Sequence, residues 1–278
     1  MPYDDYERLT ITKDDGILTV ALDRPEVLNA WDEQMHHELS RIWDDVSADF
    51  DVDVAVLTGT GRAFSAGGDV GFLERLIDDE GSWERIAVEG RRIVMGLLEC
   101  RQPVIAKVNG PAAGGGATIA LYCDVIFASD RATIGDPHVN VGFCAGDGGS
   151  GIWPYLIGFA RAREYLFTGE MIPAERAAEI GLINHVVPHD ELDARVEAFA
   201  RSLADGPIQA IQWTKQAVNQ PLRQLAAANL DLSLALEGQS NWTAEHREGV
   251  QALREKRRPR YGEVREASRR RSAEVAGG

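Results

Sequence analysis

The 278-residue chain predicts an α/β fold with a helical C-terminal region, and three observations predict it. Over residues 1–205, short apolar runs alternate with stretches of helical periodicity. Most of those runs end in loops that contain glycine, as strands of α/β domains do. After Asp205 strand signals all but vanish, and residues 207–257 read as helices, with Pro207 and Pro221 where helices are expected to begin. The expected organisation is an α/β core over 1–205 and a helical region over 206–278, divided at Gly206.

The first element is a hairpin. Leu9 and Ile11, then Ile17, Thr19 and Ala21, alternate around the turn Asp14-Asp15-Gly16. From Asp32 to Asp49 the period lengthens, with Met35, Leu39, Ile42, Trp43 and Val46 at helical steps, which predicts one helix. Val54–Leu57 reads as a buried strand that ends in Thr58-Gly59-Thr60-Gly61. Pro103–Val108 is a second, ending in Asn109-Gly110, and Asp124–Ala128 a third, ending in Ser129-Asp130.

The net charge of −15 argues against nucleic acid as the main partner, since phosphate backbones attract basic surfaces. The tail is the exception: residues 254–271 hold nine Arg/Lys and three acids. Such a local basic patch suits a small polyanion, whereas 263–278 reads as a solvated helix end with a frayed tail. No run reaches the ~18 apolar residues of a membrane span. The acidic N-terminus lacks the layout of a secretory signal, so a cytoplasmic protein is expected. Cys100, Cys123 and Cys144 lie far apart without metal-ligand spacing and read as reduced, buried thiols.

Two glycine-rich loops follow strands and precede helical patterns: Gly61-Arg62-Ala63-Phe64-Ser65-Ala66-Gly67-Gly68-Asp69 and Asn109-Gly110-Pro111-Ala112-Ala113-Gly114-Gly115-Gly116-Ala117. Neither is a phosphate loop or a dinucleotide fingerprint. Their small residues leave backbone N–H groups uncovered where helices begin, and two such donors aimed at one point make an oxyanion hole.

With these loops stand Arg24-Pro25-Glu26-Val27-Leu28-Asn29-Ala30, Leu166-Phe167-Thr168-Gly169-Glu170, Gly181-Leu182-Ile183 and the ending Arg247-Glu248-Gly249 to Glu255-Lys256-Arg257. In that order they resemble the crotonase superfamily, the enoyl-CoA hydratase/isomerase fold, over about residues 7–262. The resemblance implies a spiral core of ββα units and C-terminal helices that assemble a homotrimer or a dimer of trimers. It implies an acyl-CoA substrate whose enolate is stabilised by the backbone N–H groups of Gly68 and Gly115. Val27, Leu28 and Ala66 would line the adenine and pantetheine groove. Lys256 and Leu253 match residues that reach the coenzyme of a neighbouring subunit. No metal or bound cofactor is implied, coenzyme A entering as part of the substrate.

The chain departs from the hydratase pattern at both catalytic glutamates, whose positions hold Thr118 and His138. A threonine hydroxyl holds its proton too tightly to act alone as a base. His138 and Asp147 are the expected substitute, the aspartate orienting the imidazole and Thr118 positioning water or a substrate oxygen. The Pro-His to Gly-Asp-Gly setting, with Trp31 ahead of the first long helix, resembles the 6-oxocamphor hydrolase branch of carbon–carbon hydrolases. The further glutamate of that branch has no secure match, Glu237 falling two residues out of register. His36 and His37 read as surface and boundary residues. Trp83 reads as part of a packed helix face, with a cap on an acyl pocket as the alternative, and Glu74 and Glu237 are acids that could reach a pocket. Three functions follow in order: an enoyl-CoA hydratase/isomerase-like lyase of fatty acid metabolism, a retro-Claisen hydrolase of a β-keto or β-diketone substrate, and a non-enzymatic CoA-thioester binder.

Overall fold

In the computed structural model, which describes residues 3–276, the hairpin forms as expected. Strands β1 (Leu9–Asp14) and β2 (Ile17–Leu22) pair antiparallel, with Asp15 and Gly16 at positive φ in the turn. Strands β3 (Val54–Gly59), β4 (Val104–Val108), β6 (Val125–Ser129) and β9 (His185–Val187) extend this sheet in parallel register, in the order β1-β2-β3-β4-β6-β9. Every residue of β3 is buried, as expected for a parallel strand covered on both faces. A second, three-stranded sheet joins β5 (Ala112–Ala113), β7 (Thr133–Gly135) and β8 (Ile172–Pro173).

Helices cover both faces. The stretch expected to form one helix forms two, α1 (Glu33–Leu39) and α2 (Ile42–Ala48). The break falls at Ser40, whose hydroxyl donates to the His37 carbonyl and competes with the helical ladder. Helices α3 (Val70–Asp78), α4 (Glu80–Glu99) and α5 (Gly115–Leu121) follow the two glycine loops. Next come α6 (Gly149–Ile157), α7 (Phe159–Thr168), α8 (Ala174–Glu179) and α9 (Leu192–Ala204). The chain closes with α10 (Ile208–Asn241), α11 (Ala244–Arg254) and α12 (Tyr261–Ala276).

Pro221 does not begin a helix, because it lies inside the 34-residue α10. An interior proline forfeits a ladder bond and costs about 3 kcal/mol. Packing along α4 supports the helix through that point. Leu234 lies over Gly90, and Gly238 sits so close to the Trp83 indole that a Cβ there would be 2.3 Å from its nitrogen.

Two isolated backbone pairings tie the first glycine loop into place: Trp31 with Gly68, and Ser65 with Ala112. Asn29 locks the same loop from beneath. It is fully buried at φ +55°, and its amide nitrogen faces the carbonyls of Thr60 (2.8 Å), Ala63 (2.9 Å) and Phe64 (3.2 Å). Its amide oxygen accepts from the Arg24 backbone N–H at 2.9 Å. An Asn29→Ala variant strands these carbonyls in the interior, which costs roughly 2–4 kcal/mol. Chemical denaturation of the variant is expected to show that loss, and a change below about 1 kcal/mol would mean that the two strand pairings hold the loop unaided.

Candidate active site

The two glycine loops meet at one narrow cavity of about 60 Å³, lined by Gly68 and Gly115 and by side chains from four helices. Gly115 is the first residue of α5, so its N–H has no partner inside the helix. Among the described residues neither Gly68 N–H nor Gly115 N–H donates to a protein acceptor. The parallel pairing with Trp31 uses Gly67 O and Asp69 N and leaves the Gly68 N–H outside the ladder. Asp69 opens α3 by accepting from Phe72 N–H at 2.7 Å and is held by Arg24 at 2.9 Å, the capping role expected of it.

The glycine run has steric causes. A Cβ on Gly115 would lie 2.6 Å from the Trp31 ring, and one on Gly116 would lie 2.6 Å from Ser65. Trp31 is buried, lines the cavity, and leaves its indole N–H without a partner among the described residues. Two backbone N–H groups without a protein acceptor on one wall can receive a carbonyl oxygen.

His138, Asp147 and Glu237 form the wall opposite in chemical character. The turn Asp136-Pro137-His138 brings Asp136 against the imidazole, and its carboxylate pairs directly with Nδ1. This corrects the expected assignment, in which Asp147 orients the ring. Asp147 instead accepts from the Thr118 hydroxyl at 3.0 Å and from Gly149 N–H at 3.4 Å, and its other oxygen lies 3.7 Å from His138 Nε2. Glu237 Oε1, from α10, lies 3.9 Å from the same nitrogen. These gaps exceed a direct hydrogen bond and are the kind that one shared oxygen can bridge. Asp136 precedes its histidine by only two residues, in the run Asp136-Pro137-His138.

The loop that carries Asp147 is moored to α10. Ser233 donates to the Gly146 carbonyl at 2.7 Å, and the Ser240 hydroxyl accepts from Cys144 N–H at 2.9 Å. Gly146 is needed at this contact, because a Cβ there would be 2.5 Å from that of Glu237. Phe143 backs His138 at 5.7 Å and stacks on His246 at 4.4 Å. His246 gives its Nδ1 to the Val141 carbonyl, and burial pulls its pKa down to about 4, so it stays neutral.

Burial opposes charge on His138, but the carboxylates of Asp136, Asp147 and Glu237 outweigh it and push the imidazole up to about 10. Burial also raises Asp147, against the pull of His138. Burial and then Asp147 push Glu237 well above the usual carboxylate range. At neutral pH the cluster therefore carries an imidazolium at His138. Donor atoms of Asp136, His138 and Asp147 lie within 4.8 Å of one another, a spacing that also suits a divalent cation. The direct Asp136–His138 pairing already occupies one edge of that set.

Other expectations fare differently. Val27, Leu28 and Ala66 do not line the cavity. They form a ledge outside it, where Ala66 N–H donates to Leu28 O at 3.0 Å and Leu28 takes φ +58°. Leu253 and Lys256 are exposed at the end of α11, also away from the cavity lining. Glu74 pairs with Arg254 at 3.0 Å rather than with the cavity. The sequence reading misjudged one lining residue, His36, and left two open, Trp83 and Glu237. His36 is buried on the cavity wall rather than at the surface, Trp83 lines it from α4, and Glu237 reaches it despite its register. Cys100 and Cys123 are buried as expected, and Cys144 is only half-buried.

The family model for enoyl-CoA hydratase/isomerase matches residues 12–265. A short-chain-enoyl-CoA hydratase of Clostridium acetobutylicum is 31% identical over 253 residues, spanning 89% of this chain and 95% of that protein. The crystal structure of an enoyl-CoA hydratase/isomerase from Mycobacterium paratuberculosis is 39% identical with a TM-score of 0.87, covering 90% of this chain and 99% of the other. A β-diketone hydrolase from the cyanobacterium Anabaena, bound to (S)-3-oxocyclohexyl acetic acid, is 32% identical with a TM-score of 0.81, covering 87% and 96%.

The sign of the His138 effect is testable. A folded pKa near 10, above the ordinary 6.5, gives stability that is complete below about pH 6.5 and is lost as pH rises through about 10. The raised Asp147 and Glu237 act in the same direction, because their ionised forms are the costly ones. The melting temperature of the parent protein is expected to fall more between pH 6.5 and 9.5 than that of a His138→Gln variant. Equal falls would show that the imidazole carries no extra charge stabilisation.

Proposed function

The chain belongs to the enoyl-CoA hydratase/isomerase, or crotonase, family, and from that premise we propose that it adds water to the double bond of an acyl-CoA thioester with a His138/Asp147 pair. The single observation that carries this reading is the convergence on one cavity of two backbone donors without a protein acceptor and a cluster of His138, Asp147 and Glu237. Gly68 and Gly115 N–H take the thioester oxygen and stabilise the enolate as charge develops there.

The proton balance closes without an external acid. Asp147, held by Thr118, accepts a proton from water as its oxygen bonds to the β-carbon. The imidazolium of His138 gives its Nε2 proton to the α-carbon of the enolate. The proton on Asp147 then crosses to Nε2, a separation of 3.7 Å, and restores the starting state. Asp136 keeps the ring oriented and favours its charged form throughout. Glu237 lies on the same nitrogen's side, 3.9 Å away. The coenzyme would lie along the ledge of Val27, Leu28 and Ala66, with Leu253 and Lys256 serving the site of a neighbouring subunit in a trimer or hexamer.

The likeness to the β-diketone hydrolase favours one second reading, a retro-Claisen hydrolysis. There the same donors would hold a ring ketone, and water attack would release a carboxylic acid by carbon–carbon cleavage.

Mass spectrometry of straight-chain enoyl-CoAs, cyclic β-keto-CoAs and free cyclic β-diketones after incubation separates these readings. Mass gain of one water on an enoyl-CoA, without cleavage, is the expected result. Ring opening with acid release would replace hydration with hydrolysis, and no product from any substrate would overturn both. His138→Ala is expected to lower kcat by about 10²–10⁴ with little change in KM. Equal losses in turnover and CoA binding would assign His138 a structural role instead.

A further inference from the structure

The polar wall of the cavity fixes its chemistry, and an aromatic side chain on α4 fixes its capacity. Trp83 lines the cavity and is 7% exposed. Its ring meets Phe143 edge-on at 5.9 Å, centroid to centroid, and Phe143 in turn lies 5.7 Å from the ring of His138. The indole therefore stands one aromatic ring away from the imidazole proposed to move the proton. Phe72, Leu76, Ile86 and Leu234 line the same cavity, so the room left for the carbon chain of a substrate is apolar.

Trp83 has nowhere to withdraw. Against it packs the main chain of α10: a Cβ on Gly238 would lie 2.3 Å from Nε1, 2.8 Å from Cε2 and 3.2 Å from Cδ1, all atoms of this one indole. Trp242 meets the ring edge-on at 6.5 Å. The helix that carries Trp83 is fastened to α1, where Nδ1 of His36 and Nδ1 of His37 each lie 2.9 Å from a different oxygen of the buried Glu89 carboxylate. The space beside the fixed ring is small. A cavity of about 60 Å³ is well under the roughly 150 Å³ of an apolar cavity that takes a benzene ring. It has room for the reacting carbons and a short end, not for a ring or a long chain.

We propose that Trp83, pinned by Gly238, sets the depth of the acyl pocket and confines the enzyme to short, unbranched acyl groups. The inference rests on the acyl-CoA reading above and narrows it to one class of substrate. The limit is steric and acts on the acyl end alone, since the ledge of Val27, Leu28 and Ala66 proposed for the coenzyme lies outside the cavity that Trp83 lines. Gly238 acts through Trp83. A side chain at that position would drive the indole further into the cavity, and the three atoms it would meet first all belong to that ring.

The test measures, by calorimetry, the binding of butanoyl-CoA, octanoyl-CoA and cyclohexanecarbonyl-CoA, saturated thioesters that cannot be hydrated. The full-length parent protein is compared with Trp83→Ala, Gly238→Ala and the double variant. The parent is expected to bind butanoyl-CoA at least about tenfold more tightly than the other two, the cost of about one misfitting methylene in an apolar pocket. Trp83→Ala is expected to raise the ratio of octanoyl-CoA to butanoyl-CoA affinity about tenfold or more, and an unchanged ratio overturns the proposal. Trp83→Phe is expected to move the ratio the same way by a smaller factor, and it decides the matter if Trp83→Ala does not fold. Gly238→Ala is expected to weaken butanoyl-CoA about tenfold, a loss that disappears in the double variant. A loss that persists there overturns the pinning of Trp83 by Gly238. Equal affinity of the parent for all three thioesters overturns the size limit and leaves the acyl-CoA reading standing. No binding of any thioester to any form overturns that reading and the limit with it.

Discussion

Two short main-chain pairings outside the regular sheet edges, Trp31 with Gly68 and Ser65 with Ala112, bring three distant segments to one point. The rest of the cavity depends on how closely they approach. Gly115 must be glycine to pass the Trp31 ring, and Gly116 must be glycine to pass Ser65. Asn29 secures the arrangement by gathering the carbonyls of residues 60, 63 and 64, which no regular strand satisfies. Backbone donors fixed in this way need no reorganisation when charge develops on a bound oxygen, the condition under which electrostatic stabilisation is strongest.

Charge is the second constraint. Placing Asp136, Asp147 and Glu237 around one imidazole would be prohibitive if every carboxylate were ionised in an apolar enclosure. The cluster moderates this through opposed shifts, the carboxylates pushing His138 up and burial pushing Glu237 up. Stability and chemistry therefore share one cause. The same burial that forbids full ionisation leaves acids poised at the cavity, and the mooring of residues 144–146 to α10 keeps Asp147 among them. In the trio of His36, Glu89 and His37 the balance is different, because one carboxylate serves two imidazoles and ends in solvent.

The sequence carried the fold well where local period and composition decide it. The hairpin, the parallel strands and the helix starts after both glycine loops are all where patterning places them. It misled where long-range packing overrides local preference. Pro221 reads as a helix start but sits inside α10, and Ser40 splits what reads as one helix. In the site, motif order located Gly68, Gly115, Thr118, His138 and Asp147 near one another. It did not reveal which carboxylate holds His138, since a two-residue step through proline has no period to read. Nor did it place His36, whose burial depends on α4 crossing α1, or Glu237, which reaches the site on a helix about a hundred residues later in the chain.

The loss of both expected glutamates has a physical sequel in the arrangement of carboxylates. Thr118 does not replace a carboxylate chemically. Its hydroxyl donates to Asp147 and so fixes a carboxylate supplied from the next loop. His138 likewise stands where a carboxylate is expected, and it draws in Asp136 on one edge and Glu237 on the other. Two bare carboxylates must share water between groups of the same charge, and their proton affinities are set by mutual repulsion. An imidazole between acids instead couples opposite charges, so donor and acceptor coexist at neutral pH without either being exposed. Such a pair can give up and accept a proton across a few ångströms within one enclosure. Addition of water across a double bond and attack of water on a ketone both require that exchange, and under the proposed reading the oxygen held by Gly68 and Gly115 would decide between them: a thioester would lead to the first, a ring ketone to the second.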